Sequence, residues 1–379
     1  MSRNQETFVC HATPVGRSAL ATLLVRGPQA IRLIGQFLVL AQGKRFGATD
    51  RILFGHWRTV SGEEVVVGCR DEQCVEIHCH GGPLAVSLIT EDLCASGCRM
   101  IDWRQWSDDP GDALRDAARI AIADARCESA AIVLLDQYQG ALSAEIEEIV
   151  QLLGRSDERA AVQLLDRLLA VSRFGLHLTV PWRVVLGGRP NAGKSSLINA
   201  MVGYDRSIVF DEPGTTRDVV TVDLALDGWP FQLVDTAGLR SINEQLESTG
   251  VEAARKKLST AELQVLVFDG SISWTDDDQQ LLCDWPEALV VHNKMDIASN
   301  SALKKGMLKK GLWTSAVTRE GVDSLIAEIT NRCVGATPLE PRQAVPFTKV
   351  QVESLQRSRQ ILSNGDHSAA AELLASLLC

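Results

Sequence analysis

The chain has 379 residues, room for two or three domains, and its 45% hydrophobic and 23% charged residues suit a globular protein with a substantial core. A formal net charge of −10 argues against indiscriminate electrostatic binding to nucleic acid and leaves room only for a local basic patch. Ten cysteines over this length do not read as a disulfide framework, no Cys-x-x-Cys pair occurs, and with neither a signal-peptide core nor a bilayer-length apolar run the expected location is a reducing cytoplasm.

Residues 1–105 mix short apolar runs with turns. FVCHA, ALATLLVRG, EEVVVGC and CVEIHCHGG read as strands and VSLITEDLCASG as a helix, which makes an α+β unit. Residues 106–180 change to helical spacing in DALRDAARIAIADARCESAAIVLLDQ, SAEIEEIVQLLG and ERAAVQLLDRLLAVSRFG, until Pro181 breaks the pattern. Residues 181–337 are α/β in texture. WRVVLGG, LQVLVFDG and ALVVHNKMD read as buried strands, and DVVTVDLAL and WPFQLVD flank the hairpin signal Asp227-Gly228. GVDSLIAEITNRC closes this domain as a helix. In 338–379 a linker with Pro338, Pro341 and Pro346 leads to two short helices, expected to pack on the 106–180 helices and so to make the α/β domain an insertion.

The chemistry is concentrated in the α/β segment. Gly188-x4-Gly193-Lys194-Ser195, after a strand and before SLINAMVG, is a P-loop pattern. Its backbone from Asn191 and Ala192 through Gly193 to Ser196 can turn N–H groups towards phosphate oxygens. Lys194 can reach the β and γ phosphates, and Ser195 offers a hydroxyl to Mg²⁺. The loop FDEPGTTRD follows, from Phe210 through Asp211, Glu212, Pro213, Gly214 and Thr215 to Thr216, the expected second Mg²⁺ hydroxyl. In DTAGLR, Asp235 is expected to hold Mg²⁺ through water, with Thr236 and Ala237 leading to the Gly238 N–H, placed to meet the γ-phosphate. The P-loop alone does not separate ATP from GTP. Asn293-Lys294-Met295-Asp296 does, because a carboxylate at Asp296 can accept from guanine N1–H and its 2-amino group, whereas adenine offers neither. Lys294 can lie along the base, and Ser315-Ala316 fits a loop whose N–H meets guanine O6.

One residue resists this reading. After the glycine of DTAG, Ras-like GTPases often carry a glutamine that orients the attacking water; here Leu239 stands there and cannot.

The string GRPNAGKSSLINA…GTTRD…DTAGLR…NKMD resembles the MnmE (TrmE) family of tRNA-modification GTPases. HATPVGRSALATLLVRG and VEIHCHGGP are similar to that family's N-terminal domain, and GALSAEIEEI to its central helical domain. The resemblance implies a P-loop (Ras-like) G domain inserted in an all-α helical domain and preceded by an α+β, folate-binding-like domain. It also implies K⁺ activation in place of the glutamine. Asn191, Phe210, Glu212 and Thr215 match the K⁺ ligands, and Glu247, twelve residues after Asp235, matches the glutamate that positions water. The catalytic set is then Lys194, Thr216, Gly238 and Glu247. Partners implied are GTP and GDP, a second copy of the chain, an MnmG-type flavoprotein and tRNA at its wobble uridine, with no membrane.

The departures concern the other ends of the molecule. The family's one-carbon tetrahydrofolate site keeps its glutamate as Glu76, but Leu24 stands where it has an arginine, and its lysine stretch is missing between Met100 and Ala130. The sequence stops at Cys379 without the family's closing Cys-x-Gly-Lys, so that cysteine's role is not transferred. The alternative is therefore a GTPase switch or scaffold of the same family without folate binding or modification chemistry. Cys74, His78 and His80 alternate along one strand without a fourth ligand, so HGG reads as a strand-to-helix turn rather than a zinc site.

Overall fold

The computed structural model of the protein describes residues 6–40, 46–47, 52–107, 111–204, 207–210, 221–236, 258–298, 311–335 and 340–378. The chain forms two compact units, Met1–Asp108 and Asp109–Cys379.

In the first unit, β1 (Thr7–His11), β2 (Leu20–Arg26), β3 (Leu38–Leu40), β4 (Leu53–Trp57), β5 (Glu64–Cys69), β6 (Cys74–His80) and β7 (Cys98–Ile101) form one sheet in the order β3-β4-β5-β6-β2-β1-β7. Every pairing is antiparallel except β1 with β7. Alternation along the strands sends Val9, Leu23, Val25, Val67, Val75 and Ile77 to one face, where α1 (Ala30–Ile34) and α2 (Pro83–Ala95) cover them with Leu33, Ile34, Ile89 and Leu93. The intervening positions Cys10, Leu24 and Cys74 meet Trp106 on the other face. Asp92 of α2 is buried and carries a charge because Trp57 Nε1 (2.9 Å) and the Arg58 guanidinium (2.7 and 2.5 Å) donate to it. The Arg58 hydrogen bonds, opposed by burial, hold the Asp92 carboxyl below its usual range. The HGG stretch turns β6 into α2, with Pro83 at the first helical position. Strands β3, β4 and β7 lie outside the sequence reading; LFGHW carries a glycine and a histidine that mask its strand pattern.

The second unit opens with α3 (Ala113–Asp124), α4 (Glu128–Tyr138), α5 (Ala141–Gly154) and α6 (Glu158–Leu176). The stretch 112–137 is helical as its spacing implies, but in two pieces: the chain breaks at Ala125–Cys127, where Ala125 and Cys127 are extended. Asp112 and Asp157 cap α3 and α6 by accepting the backbone N–H groups of Arg115 and Ala160. Ala161, Leu165, Leu168 and Ser172 recur at helical spacing on the buried side of α6.

The α/β part holds β8 (Trp182–Gly187), α7 (Lys194–Val202), β9 (Ile208–Val209), β10 (Thr221–Leu226), β11 (Trp229–Asp235), β12 (Leu263–Asp269), α8 (Asp276–Asp284), β13 (Leu289–Asn293), β14 (Leu312–Trp313) and α9 (Val322–Val334). Its sheet order is β14-β13-β12-β8-β11-β10-β9. β14, β13, β12, β8 and β11 run parallel; β10 and β9 finish the edge antiparallel. β8 reads as a continuous apolar run because helices and neighbouring strands cover it, with Trp182, Val184 and Leu186 wholly buried. After it, α10 (Lys349–Ser363) and α11 (His367–Ala375) share one core with α3 to α6, with Leu355, Leu362, Ala370 and Leu374 against Ile146, Ile149, Leu165 and Leu168. No helix among the described residues is long and apolar enough to cross a membrane.

Candidate functional site: a guanine-nucleotide site

The parallel strands end along one rim of the sheet, and neighbouring strands leave β8 towards opposite sides there, the position where open α/β sheets hold ligands. β8 runs into the phosphate loop and α7 leaves it. Asn191 and Gly193 take positive φ, 63° and 91°, which curls the loop. Gly193 admits no side chain: a Cβ there would stand 2.3 Å from Asn293 Nδ2. Lys194 is 4% exposed and folds back over the loop, donating from Nζ to the carbonyls of Gly188 and Arg189 at 2.9 Å each. Its ammonium is thus held at the mouth of the loop. Arg189 donates to Thr275 Oγ1 (2.8 Å), tying the loop to the N-cap of α8, whose hydroxyl also bonds Asp278.

Ser195 begins α7 one position later, and its Oγ donates to Asp235 Oδ2 at the end of β11. A hydroxyl and a carboxylate side by side are the hard oxygen donors that Mg²⁺ takes, so these residues fit that ion. Thr236 is anchored by its own Oγ1 and N–H, both on the Leu186 carbonyl (2.9 and 3.3 Å).

Asn293, 1% exposed at the end of β13, ties the base side to the phosphate side. Its Nδ2 donates to the Ala192 carbonyl (3.1 Å), and its Oδ1 accepts from the Ala316 N–H (3.2 Å) and Thr314 Oγ1 (3.4 Å). The Ala316 N–H expected on guanine O6 therefore rests on Asn293 here. Ser315, wholly buried, donates to Asp296 Oδ1 (2.6 Å) and so holds the carboxylate expected to meet guanine. Lys294, at φ 66°, pairs with Asp269 Oδ2 at 2.6 Å. Burial raises the Asp269 carboxyl, but hydrogen bonds from Lys294 and Ser271 outweigh it and leave the group below its usual range.

Asp269 and Arg189 were missed in the sequence. The available signal for Asp269 was its place, an acid at the C-terminal end of a buried parallel strand, like Asp235. A cavity of about 250 Å³ lies between Arg189, Asn191, Asp269, Trp274 and Asp278. A larger one of about 640 Å³, beside Leu282, Leu289, Gly311 and Arg332, holds no motif residue. His292, just before Asn293, is fully buried and stacks on Trp313 (4.6 Å, 26°), and desolvation pushes its imidazole below the usual range.

Of the remaining expected residues, Ser196 lies in α7 beside Ser195, and Phe210 follows β9 with its N–H on the Asp223 carbonyl (3.0 Å). Asp211, Glu212, Pro213, Gly214, Thr215, Thr216, Ala237, Gly238, Leu239 and Glu247 lie outside the described residues. So do Lys304, Lys305, Lys309 and Lys310, a small cluster of lysines in the sequence. Glu76, in the first unit, is engaged by Arg70 and by His78 Nε2 (3.3 Å).

A phosphate loop with its lysine in place, a serine–aspartate Mg²⁺ pair, and an asparagine–aspartate base reader on one rim define a P-loop GTPase, an enzyme that hydrolyses GTP to GDP and phosphate. A family model described as 50S ribosome-binding GTPase matches residues 183–294. The chain is 33% identical over 352 residues to the tRNA modification GTPase MnmE of Synechococcus sp. (strain RCC307), covering 81% of this chain and 78% of the relative. It is 32% identical to that of Syntrophotalea carbinolica over 95% of this chain and 88% of the relative. The chain belongs to the MnmE family of tRNA modification GTPases. Among solved structures, the G domain of the T. maritima FeoB iron transporter is similar at 27% identity over 40% of this chain and 97% of that one, with a TM-score of 0.29.

Proposed function

We propose that this GTPase is K⁺-activated and serves modification of the wobble uridine in tRNA. The observation that carries the reading is the phosphate loop: Asn191 at its left-handed tip, Lys194 curled on the loop carbonyls, and Ser195 against Asp235. Ser195 and Thr216 hold Mg²⁺, with Asp235 acting through water, and Asn191, Phe210, Glu212 and Thr215 hold K⁺. When bound, the two cations would supply positive charge against the negative charge that develops on the transferring phosphoryl group. Lys194 and the Gly238 N–H bind those oxygens, and Glu247 orients the attacking water that Leu239 cannot. Asn293, Lys294, Asp296, Ser315 and Ala316 select guanine.

The architecture is a G domain, 181–337, inserted in a helical domain made of 106–180 and 338–379, after an N-terminal α+β domain, 1–105. The core shared by α3 to α6 with α10 and α11 supports this division. Partners are a second copy of the chain, an MnmG-type flavoprotein and tRNA.

A second reading, a switch or scaffold without modification chemistry, is favoured by the first unit. Leu24 is sealed with Cys10, Cys74 and Trp106, and Glu76 is already engaged by the Arg70 guanidinium and lies 3.3 Å from His78 Nε2. These residues do not fit a one-carbon tetrahydrofolate. Nucleoside analysis of tRNA from a deletion strain separates the readings. Loss of the wobble-uridine modification supports the first; unchanged wobble uridines sink it and leave the second.

A further inference from the structure

We propose that Arg126 is a positioning residue for GTP hydrolysis, acting on the Ser195–Asp235 pair through the β10–β11 hairpin. The inference rests on the reading of Ser195 and Asp235 as the Mg²⁺ side of the site.

The break between α3 and α4 contains neither glycine nor proline. Ala125 (ψ 128°) and Cys127 (ψ 158°) are extended, in a sequence whose spacing favours one helix. The break turns out Arg126, whose Nη1 donates to Asp223 Oδ2 of β10 at 2.5 Å, with both side chains mostly buried. The other Asp223 oxygen accepts Gln232 Nε2 (2.9 Å) across the hairpin. Two more contacts fix the same hairpin to the helices. Its turn glycine, Gly228 (φ 84°), lies close against α4, where a Cβ would be 2.7 Å from Ser129 Oγ. Trp229 stands edge-on to Phe174 of α6 at 5.0 Å.

The far end of this ladder is the nucleotide site. β10 and β11 pair in continuous register from Leu226↔Trp229 to Thr221↔Val234, and the next residue is Asp235 on Ser195. The Asp223 carbonyl also accepts the Phe210 N–H. Residues that read the base sit on β13 and after β14, across β12 and β8 from the hairpin. A shift of the hairpin therefore displaces the catalytic side of the site and leaves the base side alone. An ion pair with only a structural role would change stability without changing turnover.

The test uses the full chain and steady-state GTPase kinetics with Arg126→Ala, Arg126→Lys, Asp223→Asn and Arg359→Ala. The last removes a more exposed ion pair, Arg359 with Asp166 (2.8 Å), within the helices. Arg126→Ala and the isosteric Asp223→Asn should each lower kcat about tenfold with KM for GTP nearly unchanged, Arg126→Lys should restore most of it, and Arg359→Ala should keep kcat. Wild-type kcat in Asp223→Asn, or an equal loss in Arg359→Ala, overturns the inference. Ser195→Ala is run alongside. If it retains full turnover, the Mg²⁺ reading itself has failed; if it is inactive while Asp223→Asn is normal, only the role of Arg126 has.

Discussion

Replacing Asn293 by alanine removes a side chain that joins the phosphate loop to the loop after β14. Two of its hydrogen bonds are well formed, to the Ala192 carbonyl and from the Ala316 N–H, and the one from Thr314 is long at 3.4 Å. Each good bond is worth about 1 kcal/mol, and a buried partner left unsatisfied costs about 1–3 kcal/mol more. If about 2 kcal/mol of this is expressed in binding, affinity for GDP falls about thirtyfold. The remainder appears as a lower unfolding temperature, about 2–4 °C per kcal/mol for a unit of this size. Fluorescent-GDP titration of the folded variant measures the first and thermal unfolding the second. A folded Asn293→Ala protein with wild-type GDP affinity would refute the bracing role.

Three other outcomes follow from the geometry. Gly193→Ala should abolish nucleotide binding by equilibrium titration, because a Cβ at φ 91° would meet Asn293 Nδ2; retained binding would contradict the close approach. Asp269→Asn should weaken GDP binding about fivefold through loss of the carboxylate charge that holds Lys294, and calorimetry would read it. On acidification, burial keeps the folded-state pKa values of His292 and His177 below the unfolded value of about 6.5, so the unfolded chain binds more protons. Stability should then be complete above about pH 6.5 and fall as pH drops further, by less in His292→Phe; identical losses in both proteins would exclude His292 as a source.

Legibility in the sequence followed the range of the forces involved. The phosphate loop, its flanking strand and helix, and the hairpin at Asp227-Gly228 are local features with strong backbone demands, and the structure has β8, α7, β10 and β11 at those positions. Asp296 and Ser315 were readable as types, but their mutual hydrogen bond joins segments 19 residues apart and had no local signal. Asp269, marked only by its place at a strand end, and Arg189 escaped the sequence reading for the same reason, since each matters through a partner on another loop. The break at Arg126 went further: helix propensity pointed the wrong way, and the ion pair and contacts with β10 and β11 accompany the departure. Glu76 illustrates the converse, a residue whose identity suggested a ligand site while its neighbours engage it otherwise.

The central claim, that a bound cation and Glu247 replace the glutamine absent at Leu239, is tested most directly by GTPase rates in KCl and NaCl at equal ionic strength. The account predicts strong stimulation by K⁺ in the wild-type chain, no stimulation in Asn191→Ala, and slow turnover with intact GTP binding in Glu247→Ala. Equal rates in the two salts, or normal hydrolysis by Glu247→Ala, would contradict it.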